Sequence, residues 1–255
     1  MHHSSGKGDI MDKIDKVLKI MQTYFKKNAD PKIVEKYSRF FREGYDPYGV
    51  DPHELSPQVE EWYDRIEPDF RISDFRKLFI KLMETGKEEC FSVVIIFLRL
   101  MDKYYSPALF KNIKTWVGKY FSNWAQVDSL CAKTISGMIL NDVISYDDLL
   151  EWHTHKSKWV RRCVPVGTVY GFYKQKDIKP VKKVADALLN DPVREVGQGV
   201  GWMLRDAWKI YPNQIEKLLL KHVKTGNRTA YQYACEKMDK EYRKKFRRPK
   251  ASKSA

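Results

Sequence analysis

Apolar residues in this chain recur at the spacing of helical turns, and no stretch alternates as a half-buried strand would. Between Ile10 and Lys27, residues Ile14, Val17, Leu18, Met21 and Phe25 fall on one helical face. Asp30-Pro31 reads as an N-cap followed by proline in the first turn, which predicts a helix from about Pro31 to Gly44. The segment Tyr45 to Ser56 holds two Asp-Pro pairs and a glycine and is expected to be a loop. Further helical patterns cover 57–65, 72–85, 87–104, 107–121, 123–140, 145–156, 157–174, 177–190, 193–211, 212–224 and 227–242, with breaks at Asp191-Pro192 and Tyr211-Pro212-Asn213. Val93-Val94-Ile95-Ile96 is continuous rather than alternating, and its flanks are helical. The expected class is all-α.

The helices are short and paired, and three tryptophan-bearing segments recur at near-equal intervals. Trp124 to Arg162 spans 38 residues and Arg162 to Trp202 spans 40, close to the period of HEAT and armadillo units. Residues one period apart in such an array line the same groove. The expected architecture is a curved solenoid of HEAT-like repeats with a concave basic groove. It forms a single domain over 10–242, preceded by a tag remnant (1–9, opening Met-His-His-Ser-Ser-Gly) and followed by a basic, disordered tail (243–255) rich in Arg243, Lys244, Lys245, Arg247, Arg248 and Lys250.

The chain has 47 Lys and Arg against 33 Asp and Glu, a formal charge of +14, which suits a polyanionic partner. Cys90, Cys131, Cys163 and Cys235 form no C-x-x-C pair, so neither a zinc site nor a disulfide framework is expected, and a reducing compartment is: the cytoplasm, or the nucleus of a eukaryote. The longest apolar run, Cys90 to Leu98, is too short to cross a bilayer. His153 and His155 are two apart on a helix and diverge, and no Gly-rich phosphate loop is present, so no metal or cofactor is expected.

Three segments carry candidate chemistry. In Trp124-Ala-Gln-Val-Asp128 the i, i+4 spacing puts Trp124 and Asp128 one turn apart. In Trp159-Val-Arg161-Arg162 the i, i+3 spacing brings Trp159 and Arg162 to one side, and in Gly199-Val-Gly-Trp202-Met-Leu-Arg205 it does the same for Trp202 and Arg205. Each has a plainer reading. A helical Trp is more often core than cleft, Asp128 could pair with Lys133, and Arg161-Arg162 could be half of a solvated face.

The order W-x-x-V-D, W-x-x-R, G-W-x-L-R, with the earlier Lys36-Tyr37-x-x-x-Phe41 helix, resembles the AlkD family of DNA alkylation-repair glycosylases over Lys36 to Ala234. The resemblance implies that Asp128 is the catalytic carboxylate, and that Tyr37, Trp124, Arg162 and Trp202 border the cleft. With Trp159, Arg161 and Arg205 from the same segments, these are the expected DNA- and lesion-binding residues. This chain departs from the pattern in a longer loop, Gly44 to Pro52, and in Asn123 and Ala125 beside Trp124, where family members can carry Trp and Asp.

The implied activity is hydrolysis of the N-glycosidic bond of cationic N3-alkyladenine and N7-alkylguanine in duplex DNA by a monomer. Such a base already carries positive charge and leaves without a general acid, so one carboxylate suffices to stabilise the oxocarbenium-like sugar and position water. Arg162 would favour the ionised Asp128 and grip a phosphate. The indoles would face a cationic sugar or base, and the family implies contacts to the lesion's backbone without an enclosing base pocket. Two other readings use the same residues: a non-catalytic HEAT-type scaffold binding nucleic acid or protein, and an adaptor whose concave face holds an acidic peptide.

Overall fold

The computed structural model describes residues 5–42 and 44–248, with side chains from residue 13 onward. Residues 1–4 of the expected tag remnant and 249–255 of the expected tail lie outside the described residues. Among the described residues all regular structure is helical, and no helix is long and apolar enough to cross a membrane. By their contacts the residues form two compact units, Met1–Tyr105 with Lys119–Gln126 and Ser106–Gly118 with Val127–Ala255.

The first unit contains α1 (Ser5–Lys27), α2 (Pro31–Ser38), α3 (Pro52–Ile66), α4 (Ile72–Glu84) and α5 (Glu88–Leu100). Helix α5 packs on both α3 and α4, and α4 also meets α1. That placement explains the apolar run: Val93, Val94, Ile95, Ile96, Phe97 and Leu98 are all buried, as expected of a helix covered on every side. Phe75, Phe97 and Tyr63 form the aromatic centre, with centroids 5.4–6.1 Å apart.

Two boundaries differ from expectation. Asp30 caps α2 as the sequence suggests, its side chain accepting from Lys32 N at 2.8 Å, but the helix ends at Ser38 rather than near Gly44. Asp51-Pro52 lies inside the expected loop yet opens α3, with Asp51 accepting from His53 N at 2.8 Å. The intervening loop is pinned by Glu89, a buried carboxylate accepting from the backbone N–H groups of Tyr48, Gly49 and Val50 at 2.7–3.0 Å. Gly49 holds φ +98° here, and a Cβ would meet the Asp30 carbonyl oxygen at 2.6 Å, so the loop's course requires glycine.

The second unit takes in most of α6 (Pro107–Tyr120) and the latter part of α7 (Trp124–Leu130). It continues with α8 (Ser136–Leu140), α9 (Tyr146–Leu150), α10 (Lys158–Gln175), α11 (Ile178–Leu188), α12 (Arg194–Trp208), α13 (Pro212–Lys221) and α14 (Arg228–Ala234). Helices α10, α12 and α14 pack side by side, α9, α11 and α13 do the same, and α9 on α10, α11 on α10 and α12, and α13 on α12 join the two rows. This is the stacking of a helical repeat.

The helix expected over 227–242 stops at Ala234. The basic segment expected to be disordered from 243 onward instead begins with a 3-10 helix, Tyr242–Phe246, anchored by a fully buried Phe246. Tyr242 and Lys245, both bonded to the Glu216 carboxylate, help hold the segment down.

Candidate active site

Helix α7 runs into a five-residue π-type turn, Cys131–Ile135, before α8 resumes. Such wide turns displace the residues around them from the regular helical register. Asp128 stands one turn before it, its side chain 14% exposed.

The partner of Asp128 comes from α10. Arg162 donates from Nε to Oδ1 at 2.9 Å and from Nη2 to Oδ2 at 2.8 Å, while its Nη1 donates to the Glu195 carbonyl at 2.5 Å. The guanidinium is buried, and these three bonds account for three of its five N–H donors. Arg162 fixes the plane of the Asp128 carboxylate. The α10–α12 crossing is tight at Gly199, where a Cβ would lie 3.1 Å from Pro165 Cγ and in ordinary contact, 3.7 Å, with Arg162 Cγ.

Burial raises the Asp128 carboxyl above its ordinary value, and the Arg162 charge and hydrogen bonds pull it back without cancelling the rise. Because a guanidinium stays protonated at any accessible pH, the positive charge facing Asp128 is permanent.

Trp202 lies half-buried on α12, and its indole Nε1 donates to Asp206 Oδ2 at 2.8 Å and to the Tyr173 hydroxyl at 3.0 Å. Tyr173 in turn donates to Asp206 Oδ2 at 2.5 Å, and Lys209 reaches Oδ1 at 2.5 Å. Burial alone would raise Asp206; hydrogen bonds from Lys209, Tyr173 and Arg205 overcome it and bring the carboxyl down to about 2. Tyr170 meets the Trp202 ring edge-on at 5.6 Å. Its hydroxyl is raised by burial first and by the charge of Asp128 second.

Tyr170, Tyr173 and Asp206 escape the sequence reading. A signal existed: Tyr170 and Tyr173 follow Arg162 on α10 at i+8 and i+11, the same face, and Asp206 adjoins the G-W-x-L-R segment.

The other expected residues divide between structural and accessible positions. Trp159 is buried, with the Lys158 ammonium 4.6 Å from its ring centroid, so it serves the core rather than a groove surface. Arg161 ties Asp191 (2.7 Å) to the carbonyls of His155 and Lys156 at 2.8 and 3.1 Å, and so braces a loop. Arg205 pairs with Asp206 at 3.4 Å and Glu236 at 2.9 Å.

In the first unit, Tyr37 is half-buried beside Lys36, whose ammonium lies 5.1 Å from the Tyr37 ring centroid. Trp124 stacks on Phe41 at 5.6 Å, and Phe41 stacks on Tyr45 at 4.4 Å. Tyr45, contributed by the long loop, thus backs the ring on which Trp124 rests. Beside Trp124, Asn123 and Gln126 both donate to Glu88. Burial raises the Glu88 carboxyl to about 7 against these hydrogen bonds.

A partly exposed carboxylate with a fixed plane is suited to stabilising a cation or holding a water. Comparison with known proteins agrees in kind. Residues 21–238 match the model of the family described as DNA alkylation repair enzyme. No curated protein matches the chain. Among solved structures, one described as a predicted DNA alkylation repair enzyme from Enterococcus faecalis aligns with a TM-score of 0.65 at 14% identity, covering 84% of this chain and 98% of that one. AlkD2 from Streptococcus mutans aligns with a TM-score of 0.56 at 18% identity, covering 86% and 99%. At these identities the structures speak for the fold, whereas the family model spans most of the sequence, the Asp128, Arg162 and Trp202 segments included. On that match the chain belongs to the DNA alkylation repair enzyme family.

Proposed function

We propose that this chain is a DNA glycosylase that hydrolyses the N-glycosidic bond of cationic alkylated purines, N3-alkyladenine and N7-alkylguanine, in duplex DNA. The observation that carries the reading is the Asp128 carboxylate, partly exposed and locked in plane by a buried arginine. In this reading Asp128 stabilises the positive charge developing on the sugar and orients the attacking water. The departing base is already cationic and becomes neutral as the bond breaks, so no proton donor is required.

Arg162 is a positioning residue, since all three of its observed bonds end on protein groups. Trp202, held by Asp206 and Tyr173, offers a π face to a cationic sugar or base, worth about 0.5–2 kcal/mol. Tyr37 and Trp124 are the DNA-contacting residues that the family resemblance assigns in the first unit. The protein is taken to act as a monomer on duplex DNA, with phosphate contacts that weaken steeply with salt.

The test is release of N7-methylguanine from duplex DNA by the parent and by Asp128→Asn, with circular dichroism to establish that both are folded. Release by the parent alone supports the carboxylate's role. Equal release by both would remove Asp128 from the mechanism. DNA binding without release by either would favour a non-catalytic scaffold.

A further inference from the structure

The second unit holds another chemically distinctive place, at the end of the row of helices that begins with α10. A cavity of about 300 Å³ is lined by Arg228, Tyr231, Gln232 and Cys235 from α14 and its C-terminal turn, and by Arg243, Phe246 and Arg247 from the basic segment. No carboxylate lines it.

Three arginines lining one cavity bring like charges together, and neighbouring cations show how such charge is ordinarily balanced. Lys245 pairs with Glu216 at 2.7 Å, Lys244 with Glu241, and Arg205 with Glu236 at 2.9 Å. Those acids are thereby engaged; Asp239 accepts from the backbone N–H groups of Glu241 and Tyr242 at 2.8 and 3.2 Å, and its charge acts on Arg243 without an ion pair. Among the described residues, no carboxylate lies within ion-pair distance of Arg228, Arg243 or Arg247.

The floor supplies no counter-charge either. Tyr231, Cys235 and Phe246 are buried, and burial pushes the Cys235 thiol up to about 11, leaving it neutral at physiological pH. The arrangement is built rather than incidental. Phe246 anchors the segment that delivers Arg243 and Arg247 opposite α14, and Arg228 lies 5.1 Å from the centroid of the Tyr231 ring.

We infer that Arg228, Arg243 and Arg247 form a phosphate-binding site, separate from Asp128. Guanidinium forks match the oxygens of a phosphate in pairs, Gln232 adds a neutral donor, and the volume lies at the small end of ligand sites. Either an internal phosphodiester of a duplex or a phosphate monoester, terminal or free, has this chemistry.

The experiment compares the parent with Arg228→Gln/Arg243→Gln/Arg247→Gln. Inorganic phosphate should raise the melting temperature of the parent above that in chloride of equal ionic strength, and should leave the variant unmoved. Affinity for undamaged duplexes with 5′-hydroxyl and 5′-phosphoryl ends is then measured across salt concentrations. If the site holds an internal phosphodiester, the variant's log–log salt slope falls by about 1 for each phosphate it no longer neutralises, whatever the duplex ends. If it holds a monoester, only the preference for 5′-phosphoryl ends disappears.

Equal phosphate stabilisation of parent and variant, with unchanged DNA binding, would overturn the proposal. None of these readouts depends on base release, so failure here and failure of the glycosylase reading are separately visible.

Discussion

Arg162 grips both oxygens of Asp128, at 2.9 and 2.8 Å, and spends its third observed donor on the Glu195 carbonyl. The guanidinium therefore ties α7, α10 and the first turn of α12 together while setting the carboxylate plane. Removing one member of a buried ion pair leaves the other charge uncompensated, at a cost of about 3–5 kcal/mol. Arg162→Ala is expected to lower stability by that order. Arg162→Lys should recover only part, because an ammonium lacks the two-pronged fork. Urea denaturation midpoints would show this, and an unchanged midpoint for Arg162→Ala would count against the pair's structural role.

Asp206 gives an acid-side prediction. Its carboxyl is held at about 2 in the folded protein, below its ordinary 3.8, so folding favours the ionised form. The associated stabilisation is present above pH ~4 and lost as pH falls through 2, amounting to at most roughly 2 kcal/mol and less where solvent screens the charges. Between pH 5 and 2 the parent should therefore lose more stability than Asp206→Asn, whose side chain does not titrate. Parallel losses in the two proteins would show that the hydrogen bonds from Lys209, Tyr173 and Arg205 do not favour the charged form.

Much of this architecture is legible in the residues, because helix caps and breaks follow local chemistry. Asp30-Pro31, Tyr211-Pro212 and the 38- and 40-residue intervals locate helices and their repetition correctly. The same chemistry misleads at Asp51-Pro52, where a dipeptide that suits both a turn and an N-cap opens a helix. What local pattern cannot separate is which side of a helix its neighbours cover. Trp159 and Trp202 look alike in sequence, yet one is core and the other is half-exposed and hydrogen-bonded. Arg162 illustrates the same limit: its pairing with Asp128 is legible, but its burial and its bond to the Glu195 carbonyl depend on α12 packing against α10. Phe246, a single anchor among basic residues, gives no periodic signal at all.

Glu88 predicts the opposite pH behaviour to Asp206. Burial raises its folded carboxyl from 4.5 to about 7 despite hydrogen bonds from Asn123 and Gln126. The folded protein thus holds a proton that the unfolded chain has released, and stability falls as pH rises from about 4.5 to 7, by up to about 3 kcal/mol. Glu88→Gln, which keeps an acceptor for both amides, should remove this decline and be more stable than the parent at pH 8. The check is a pair of thermal melts at pH 5 and pH 8, and a variant less stable than the parent at pH 8 would show that the ionised carboxylate is the better partner.

The crossing of α12 and α14 depends on Gly201. A Cβ there would meet the Ala230 carbonyl oxygen at 2.5 Å and Tyr233 Cβ at 2.6 Å, and neither atom is the far end of a flexible side chain. Alanine would gain up to about 1 kcal/mol of helix propensity, but separating two packed helices costs about 1–3 kcal/mol. Gly201→Ala should therefore be destabilising, and because α12 carries Trp202, it should also slow any reaction that uses that indole. Gly86 is a useful contrast: it sits at φ +71° with open space around its would-be Cβ, so Gly86→Ala should lose stability through backbone strain while leaving activity intact. Denaturation midpoints with base-release rates separate the two. A Gly201→Ala protein as stable and as active as the parent would mean that the two helices can part there without consequence.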